Sequence, residues 1–442
     1  MRMYEILEKK RDKMTLSTEE IGFFVRGVTE GTIPDYQISA LLMAICINGM
    51  DPRETTDLTL AMAHSGAVAD LSGIRGTVVD KHSSGGVGDK CTLIVGPIVA
   101  SLGIPFAKLS GRGLGHTGGT IDKLESMPGF RTSFSSDEFI HQVNAIGIIL
   151  AGQSGELAPA DKKLYALRDV TATIPSIPLI SASIMSKKIA SGARNILLDV
   201  KCGNGAFMKD REGAFLLAER MVQIGELSGR HVKALVTDMS QPLGHQVGNA
   251  LEILEAVDVL QNKGPDDLRE ICIALSAGML ELAGLSGYEE CRGLALRTLE
   301  DGTAYAKFRQ LVETQGGAWN PGGLPVLAGH AAIVQTVLSE SDGYVTDIET
   351  GDIGVASLLL GAGRETREDP IDPAAGVTVH KKRGDLVRTG EALATLHTNR
   401  PDAVDPASAM ILRAYSITGT RPDLIPVVLR IVETGGRGNT AS

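Results

Sequence analysis

Two polar, glycine-rich stretches hold the side chains best suited to chemistry. The first, Val79-Asp80-Lys81-His82-Ser83-Ser84-Gly85-Gly86-Val87-Gly88-Asp89-Lys90-Cys91-Thr92, follows an apolar run and leads into a helix-forming segment. Glycines let backbone amides converge on an anion, and a helix start adds the positive end of its dipole. Lys81 offers an ammonium, and Ser83 and Thr92 offer hydroxyls, which together make a phosphate cradle. The stretch is not a Walker loop, because Asp89 separates Gly88 from Lys90, and it does not fit the dinucleotide glycine pattern. The second stretch, Lys108-Leu109-Ser110-Gly111-Arg112-Gly113-Leu114-Gly115-His116-Thr117-Gly118-Gly119-Thr120, closes the next apolar run. Two such loops at the ends of successive strands converge on one oxyanion from two sides.

Loops of this kind need a sheet behind them. Short apolar runs at 77–80, 105–109, 147–151, 195–200 and 231–237 alternate with helical stretches, the pattern of a largely parallel sheet with ligands at the carboxyl ends of its strands. The first 65 residues read as helices. Ser17 with Glu20 and Asp51 with Glu54 form capping boxes, and Pro34 opens an apolar helix (Ile38, Leu41, Leu42, Ile45) that stops at Gly49. Its near-continuous apolar character predicts burial on both sides, in a bundle or at a dimer interface. Residues 160–192 interrupt the alternation with two more helices and are grouped with the first four. Strand-like runs return at 332–338, 344–348, 376–380 and 392–397. The expected fold is therefore α/β with a discontinuous all-helical domain (1–66 and 160–192). A mixed, mostly parallel sheet domain takes 74–153 and 193–330, a small β-rich C-terminal domain 331–436, and a flexible tail 437–442.

Composition removes several function classes. The 442 residues allow roughly two to four domains. Forty-three Lys+Arg against 53 Asp+Glu leave a net charge of −10, so no uniform basic field exists to hold nucleic acid, although a local basic pocket for a small anion is compatible with it. With 9 Phe, 7 Tyr and 1 Trp the chain has few platforms for stacked bases. Five scattered cysteines without a C-x-x-C argue against a disulfide framework or a cysteine-based zinc module and fit a reducing cytosol. The nine histidines form no H-x-x-x-H pair, so zinc is not indicated. The charged N-terminus has no signal-peptide core, and no apolar run reaches the ~18 residues of a membrane span. The expectation is a cytoplasmic protein with neither membrane nor nucleic-acid partners.

KHSSGGVGDK and SGRGLGHTGGTIDKLE resemble the signatures of the pyrimidine-nucleoside phosphorylase/thymidine phosphorylase family, and ADKKLYALRDVTATIPSIPLISASIMSKK resembles its base-recognition segment. The likeness continues through DVKCGNGAFM, TDMSQPLGHQVGNALEILEA and VHKKRGDLVRTGEALATLH, covering nearly the whole chain. It implies a homodimeric pentosyltransferase that phosphorolyses uridine, thymidine or deoxyuridine to free base and (deoxy)ribose 1-phosphate. Inorganic phosphate is the implied co-substrate, with no organic cofactor. By this resemblance phosphate is held by Lys81, His82, Ser83, Thr92, Lys108, Leu109, Ser110 and Thr120; Thr92 keeps the hydroxyl that some relatives supply as Ser. The base is held by Arg168, Ser183 and Lys187, with Leu114, Tyr165, Ile180 and Phe207 as apolar walls. Arg168 and Lys187 polarise the departing base, and His82 is the implied proton donor to its O2.

Some family members also hold a structural potassium ion with loop carbonyls and one carboxylate. The matching positions here are Gly88, Lys90, Leu243, Gln246 and Glu255, so potassium is a candidate ion; an ammonium at 90 would repel or replace it, unless residue 90 contributes only its carbonyl. A strict thymidine phosphorylase is the near alternative. A more remote one is an anthranilate phosphoribosyltransferase-like enzyme, whose magnesium chemistry wants acidic pairs where this chain carries Arg168 and Lys187. A non-catalytic binding module is the third, since VHKKRGDLVRTGEALATLH is similar to a lipoyl/biotinyl carrier hairpin, although no modifiable lysine is identifiable. Because the phosphate and base residues come from different domains, closure about the glycine-containing crossings near 66–76, 152–160 and 192–195 is expected.

Overall fold

The computed structural model describes residues 1–113, 118–153, 157–364, 366 and 369–433. The chain opens on α1 (Met3–Arg11), α2 (Thr18–Glu30), α3 (Asp35–Asn48) and α4 (Pro52–Ala63). Both capping boxes form. Ser17 Oγ accepts from the Glu20 amide at 3.3 Å while Glu20 Oε2 accepts from the Ser17 amide at 2.8 Å. Asp51 and Glu54 make the same exchange at 2.7 and 2.9 Å. Each box satisfies helix-end donors that would otherwise lack partners.

The α/β layer begins with β1 (Val79–Ser83), α5 (Cys91–Ser101), β2 (Phe106–Ser110), α6 (Thr120–Leu124), α7 (Ser136–Ile146) and β3 (Ile148–Gly152). The chain then returns to the first helices with α8 (Pro159–Val170) and α9 (Ile177–Ala190). Ala160, Leu164, Leu179 and Ala182 share one apolar core with Phe24, Leu41 and Leu58, so the helical unit is built from two separate stretches of sequence. The crossings lie side by side: Ala67 bridges Leu157, the Ala69 amide donates to Ala190 O at 2.8 Å, and the Ala160 amide donates to Ser65 Oγ at 3.1 Å.

The layer resumes with β4 (Asn195–Cys202), α10 (Arg211–Leu227), β5 (His231–Asp238), the two-residue β6 (Gln246–Val247) and α11 (Asn249–Leu260). It ends with α12 (Asp266–Leu282), α13 (Tyr288–Glu300) and α14 (Thr303–Thr314). β5, β4, β1, β2 and β3 are parallel neighbours in that order. Their connections cover both faces with helices, so β3 (IILAG) reads as an unbroken apolar run, while the buried charges of β1 (VDKHS) find ion-pair partners, Lys81 with Asp199 and Asp80 with Lys188.

β7 (Ile333–Leu338), β8 (Gly343–Ile348), α15 (Thr350–Ser357), β9 (Gly376–Val379), β10 (Leu386–Val387), β11 (Ala392–Thr398), α16 (Val404–Ala414) and β12 (Tyr415–Thr418) build the C-terminal unit around its own core. Its sheets run β10-β8-β12 and β6-β9-β11-β7. The fold class agrees with the expectation, and two details correct it. β13 (Val428–Glu433), expected within the C-terminal domain, instead lies antiparallel to β5 at the edge of the large sheet, where its strand-like residues satisfy an open edge. β6, expected to belong only to the α/β domain, pairs with β9. The two units are therefore laced together. Residues 437–442 lie outside the described ones.

Candidate active site

β1, β2 and β3 all end at one cleft, and the helical unit forms its opposite wall. The cavity is about 420 Å³ and takes in the loop after β1, the end of β2, the start of α6, Tyr165 on α8 and Lys187 and Lys188 on α9. The anion side follows from the two loops. Gly85 and Gly88 have φ of +87° and +78°, left-handed values that suit glycine and turn the chain back toward the cleft. Ser83, Thr92, Ser110 and Thr120 bring hydroxyls to one space, with Leu109 beside them. Thr92 lies in the first turn of α5, so the helix's positive end faces the same space.

Charge is concentrated behind these hydroxyls. Lys108 Nζ lies 3.4 Å from Asp80 Oδ1, and Lys188 Nζ donates to Asp80 Oδ2 at 2.7 Å. One carboxylate thus faces two ammoniums, a local positive excess in a chain of net charge −10. Burial brings the Lys108 ammonium down, Asp80 resists, and Lys188 and Lys81 add to the fall, which ends at about 7. Burial, then Lys188, Lys108, Lys81 and Lys187, hold the His82 imidazole well below its usual range, so it is neutral near pH 7. Ser83 Oγ donates to Asp89 Oδ2. Burial works to raise the Asp89 carboxyl, but Lys81, Lys201 and Lys123 keep it well below the usual carboxylate range.

On the base side, Lys187 Nζ sits 2.8 Å from Asp161 Oδ2, 3.4 Å from Ser183 Oγ and 5.5 Å from the centre of the Tyr165 ring. Asp161 on α8 and the α9 face thus aim this ammonium across the ring. The partly exposed Tyr165 leaves one aromatic face open to the cleft.

The structure brings His82, Ser83, Thr92, Lys108, Leu109, Ser110, Thr120, Tyr165 and Lys187 to one cavity. It does not bring every expected residue there. Lys81 is fully buried, 3.0 Å from Asp199 Oδ2 and 3.9 Å from Oδ1 of the cleft-lining Asp89, and is not itself part of the lining. Arg168 spends its guanidinium on backbone carbonyls, donating to Leu179 O at 3.2 Å, Ile174 O at 2.8 Å and Thr173 O at 3.3 Å. Ser183 is buried and reaches the cleft only through Lys187. Ile180 packs in the core beneath β4, and Phe207 is 40% exposed outside the cavity lining. Leu114, like His116, lies outside the described residues.

Several lining groups were not read from the sequence: Asp89, Lys188, Gln153 and Arg112. Asp89 was legible as the residue breaking the Walker spacing, and Lys188 as the neighbour of Lys187 that α9 turns toward β1.

The five potassium-site positions do converge. Lys90, however, points its own ammonium at the oxygens: Nζ donates to Leu243 O at 3.0 Å, Gln246 O at 2.7 Å and Glu255 Oε2 at 2.5 Å. Burial opposes this charge, and Glu255 and Glu252 hold it above its ordinary value. These residues do not fit a potassium ion, because a second cation would share their oxygens with an ammonium in contact.

Residues 4–66 match the glycosyl transferase family helical bundle domain, residues 75–305 the glycosyl transferase family a/b domain, and residues 344–418 the pyrimidine nucleoside phosphorylase C-terminal domain. The chain is 52% identical over 421 residues to the pyrimidine-nucleoside phosphorylase of Geobacillus stearothermophilus, covering 95% of this chain and 97% of that one. It is 53% identical over 406 residues to the protein of that name from Staphylococcus haemolyticus, covering 92% and 94%. Among solved structures, anthranilate phosphoribosyltransferase from Thermus thermophilus superposes with a TM-score of 0.55 at 16% identity, over 70% of this chain and 98% of that one. That likeness is one of fold.

Proposed function

The chain belongs to the pyrimidine-nucleoside phosphorylase family, and from that premise we propose the division of labour in its cleft. It is a pentosyltransferase that phosphorolyses pyrimidine nucleosides, with uridine, thymidine and deoxyuridine as its substrates, to free base and (deoxy)ribose 1-phosphate. One methyl group in an apolar pocket is worth only ~1–3 kcal/mol, which supports acceptance of both uridine and thymidine.

Hydrogen phosphate gives an oxygen to C1′ as the C1′–N1 bond breaks, and its proton goes to the departing base. Ser83, Thr92, Ser110, Thr120 and the Lys108 ammonium hold the phosphate at the start of α5. Lys187 donates to the base as negative charge builds there, and Tyr165 walls the pocket. A neutral His82 keeps one N–H for the anion. An arriving dianion offsets the surrounding lysines, raises the proton affinity of His82, and lets the imidazole relay the phosphate proton to the base O2. Ser183 works through Lys187, and Arg168 fixes the turn between α8 and α9 that aims it. The observation that supports this reading most is that Ser110 and Lys187, from different domains, line one cavity.

A homodimer through the first helices and a cytoplasmic location complete the proposal. All five cysteines are unpaired, which supports a reducing compartment. The test is a product assay with uridine and thymidine, with and without phosphate, and with magnesium chelated. Base release is expected only with phosphate and without need of magnesium, and Lys187→Ala is expected to lower kcat/KM by at least ~10²-fold, roughly 2.7 kcal/mol. Phosphate-independent release or wild-type turnover in Lys187→Ala contradicts the assignment.

A further inference from the structure

Lys90 stands where the family resemblance asks for one ligand of a potassium ion, and its side chain goes to the ion's place. It is 1% exposed, and Nζ donates to Leu243 O, Gln246 O and Glu255 Oε2. An ammonium has three N–H donors and no acceptor, so three oxygens satisfy it. The carboxylate is fixed independently: Glu255 Oε1 accepts from the His245 amide at 2.7 Å, and Oε2 also accepts from the Gln246 amide at 3.1 Å.

What this ammonium ties together is the anion loop and its support. Lys90 is the residue immediately before α5, whose first turn carries Thr92, and it follows Asp89, the partner of Ser83. The strap at 243–246 lies against the loop: the Leu243 amide donates to Val87 O at 3.1 Å, and a Cβ on Gly88 would stand 2.7 Å from Leu243 O. Gln246 begins β6, which pairs with β9 of the C-terminal unit, while Glu255 lies on α11. Four parts of the molecule meet at one nitrogen.

We propose that the Lys90 ammonium is a built-in replacement for a monovalent cation, clamping the anion loop to the 243–246 strap and α11, so that neither stability nor turnover of this protein depends on potassium. Lys90 is a positioning residue, since it touches no reacting atom. The inference rests on the reading of the loop after β1 as the phosphate side, but its first readout, the melting temperature, needs no substrate. Failure of phosphorolysis therefore leaves it measurable.

The experiment compares potassium chloride with tetramethylammonium chloride at constant ionic strength, for the full chain and two variants. The wild type is expected to show the same melting temperature in both salts and rates within about twofold, because no ligand-linked stabilisation is available. Lys90→Ser removes the ammonium and leaves the oxygens, so it should melt lower and raise KM for phosphate in tetramethylammonium, then recover both in potassium. Lys90→Met removes the charge but keeps the bulk, and should lose both properties in either salt. A wild-type melting temperature that climbs with potassium, or a Lys90→Ser protein that potassium leaves unimproved, overturns the proposal. If Lys90→Met does not fold, the wild-type titration and Lys90→Ser still decide it.

Discussion

Lys108 is the residue at which the cleft's charge and its ligand are most tightly linked. Its ammonium is brought down to about 7 by burial and by Lys188 and Lys81, against the pull of Asp80. A bound dianion favours the charged form, so binding above pH ~7 must take up a proton, while well below pH ~7 the group is already charged and uptake vanishes. Affinity for an anion of fixed charge should accordingly weaken as pH rises through that value. Sulfate calorimetry in buffers of different ionisation enthalpy is expected to show uptake growing between about pH 6 and pH 8, and Lys108→Met should remove that part, leaving any share from His82. Uptake unchanged by the substitution would sink the assignment. The four hydroxyls were legible because glycine loops at strand ends announce themselves. Lys81 does not line the cavity: its ammonium is buried between Asp199 at 3.0 Å and the cleft-lining Asp89 at 3.9 Å, so it meets the cleft through that carboxylate. Arg168 bonds backbone carbonyls, and sequence does not show which carbonyls a buried guanidinium will serve.

Helix α3 carries two apolar faces, and only one is used within the chain. Ile38, Leu41, Leu42 and Ile45 are buried, while Tyr36, Ala40, Met43 and Ile47 form an exposed stripe at i, i+4, i+7 and i+11. Tyr36 and Ile47 are each 74% exposed, an uncommon display for side chains of that size. Such a stripe on a capped, rigid helix is suited to a second copy of itself, since an isologous contact needs one self-complementary patch. Light scattering is expected to give twice the chain mass for the wild type, with Ile47→Glu and Met43→Lys shifting it toward the single chain at unchanged helix content. A monomeric wild type, or variants that stay dimeric, would remove α3 from the interface. The doubly apolar character of this helix was readable from its sequence, as were the capped starts of α2 and α4 and the runs that became β1 to β5. The destination of β13 was not. A six-residue strand carries its alternation but no record of the edge that will accept it, and β5 supplies that edge from nearly two hundred residues away.

At the scale of the whole molecule, the cleft sets a polar anion side on the α/β unit against Tyr165, Lys187 and Lys188 of the helical unit. Ser110 and Lys187 line it, whereas Ser183 and Ile180 remain buried on the helical side and Arg168 is engaged with carbonyls. The backbone crossings between the units lie side by side: the Ala67–Leu157 bridge, the Ala69–Ala190 hydrogen bond, and Gly192, whose φ of +80° places it where a Cβ would collide with the Ala69 carbonyl; beside them Ile180 and Met185 of α9 pack into the apolar core of β4 and α10. A few adjacent backbone positions of this kind suit a hinge, because large domain rotations need only small changes in φ and ψ there. The anion side, by contrast, is braced: Lys90 ties its first loop to α11, and Arg364 of the C-terminal unit reaches Asp122 at 2.9 Å, the carboxylate that also accepts from the Gly113 amide at 2.7 Å. If the cleft closes, the helical unit is the part expected to move over the braced phosphate platform. Closure would exclude water from a reaction in which hydrolysis competes, and Lys188, bonded to Asp80 across the cleft, gives the motion a buried pivot. Small-angle scattering is expected to show a smaller radius of gyration with phosphate and a non-reacting pyrimidine bound together than with either alone, because each ligand contacts only one unit. Equal radii in all states would mean that the cleft works in the form seen here, and that Arg168 and Ser183 act solely by holding α8 and α9 in place.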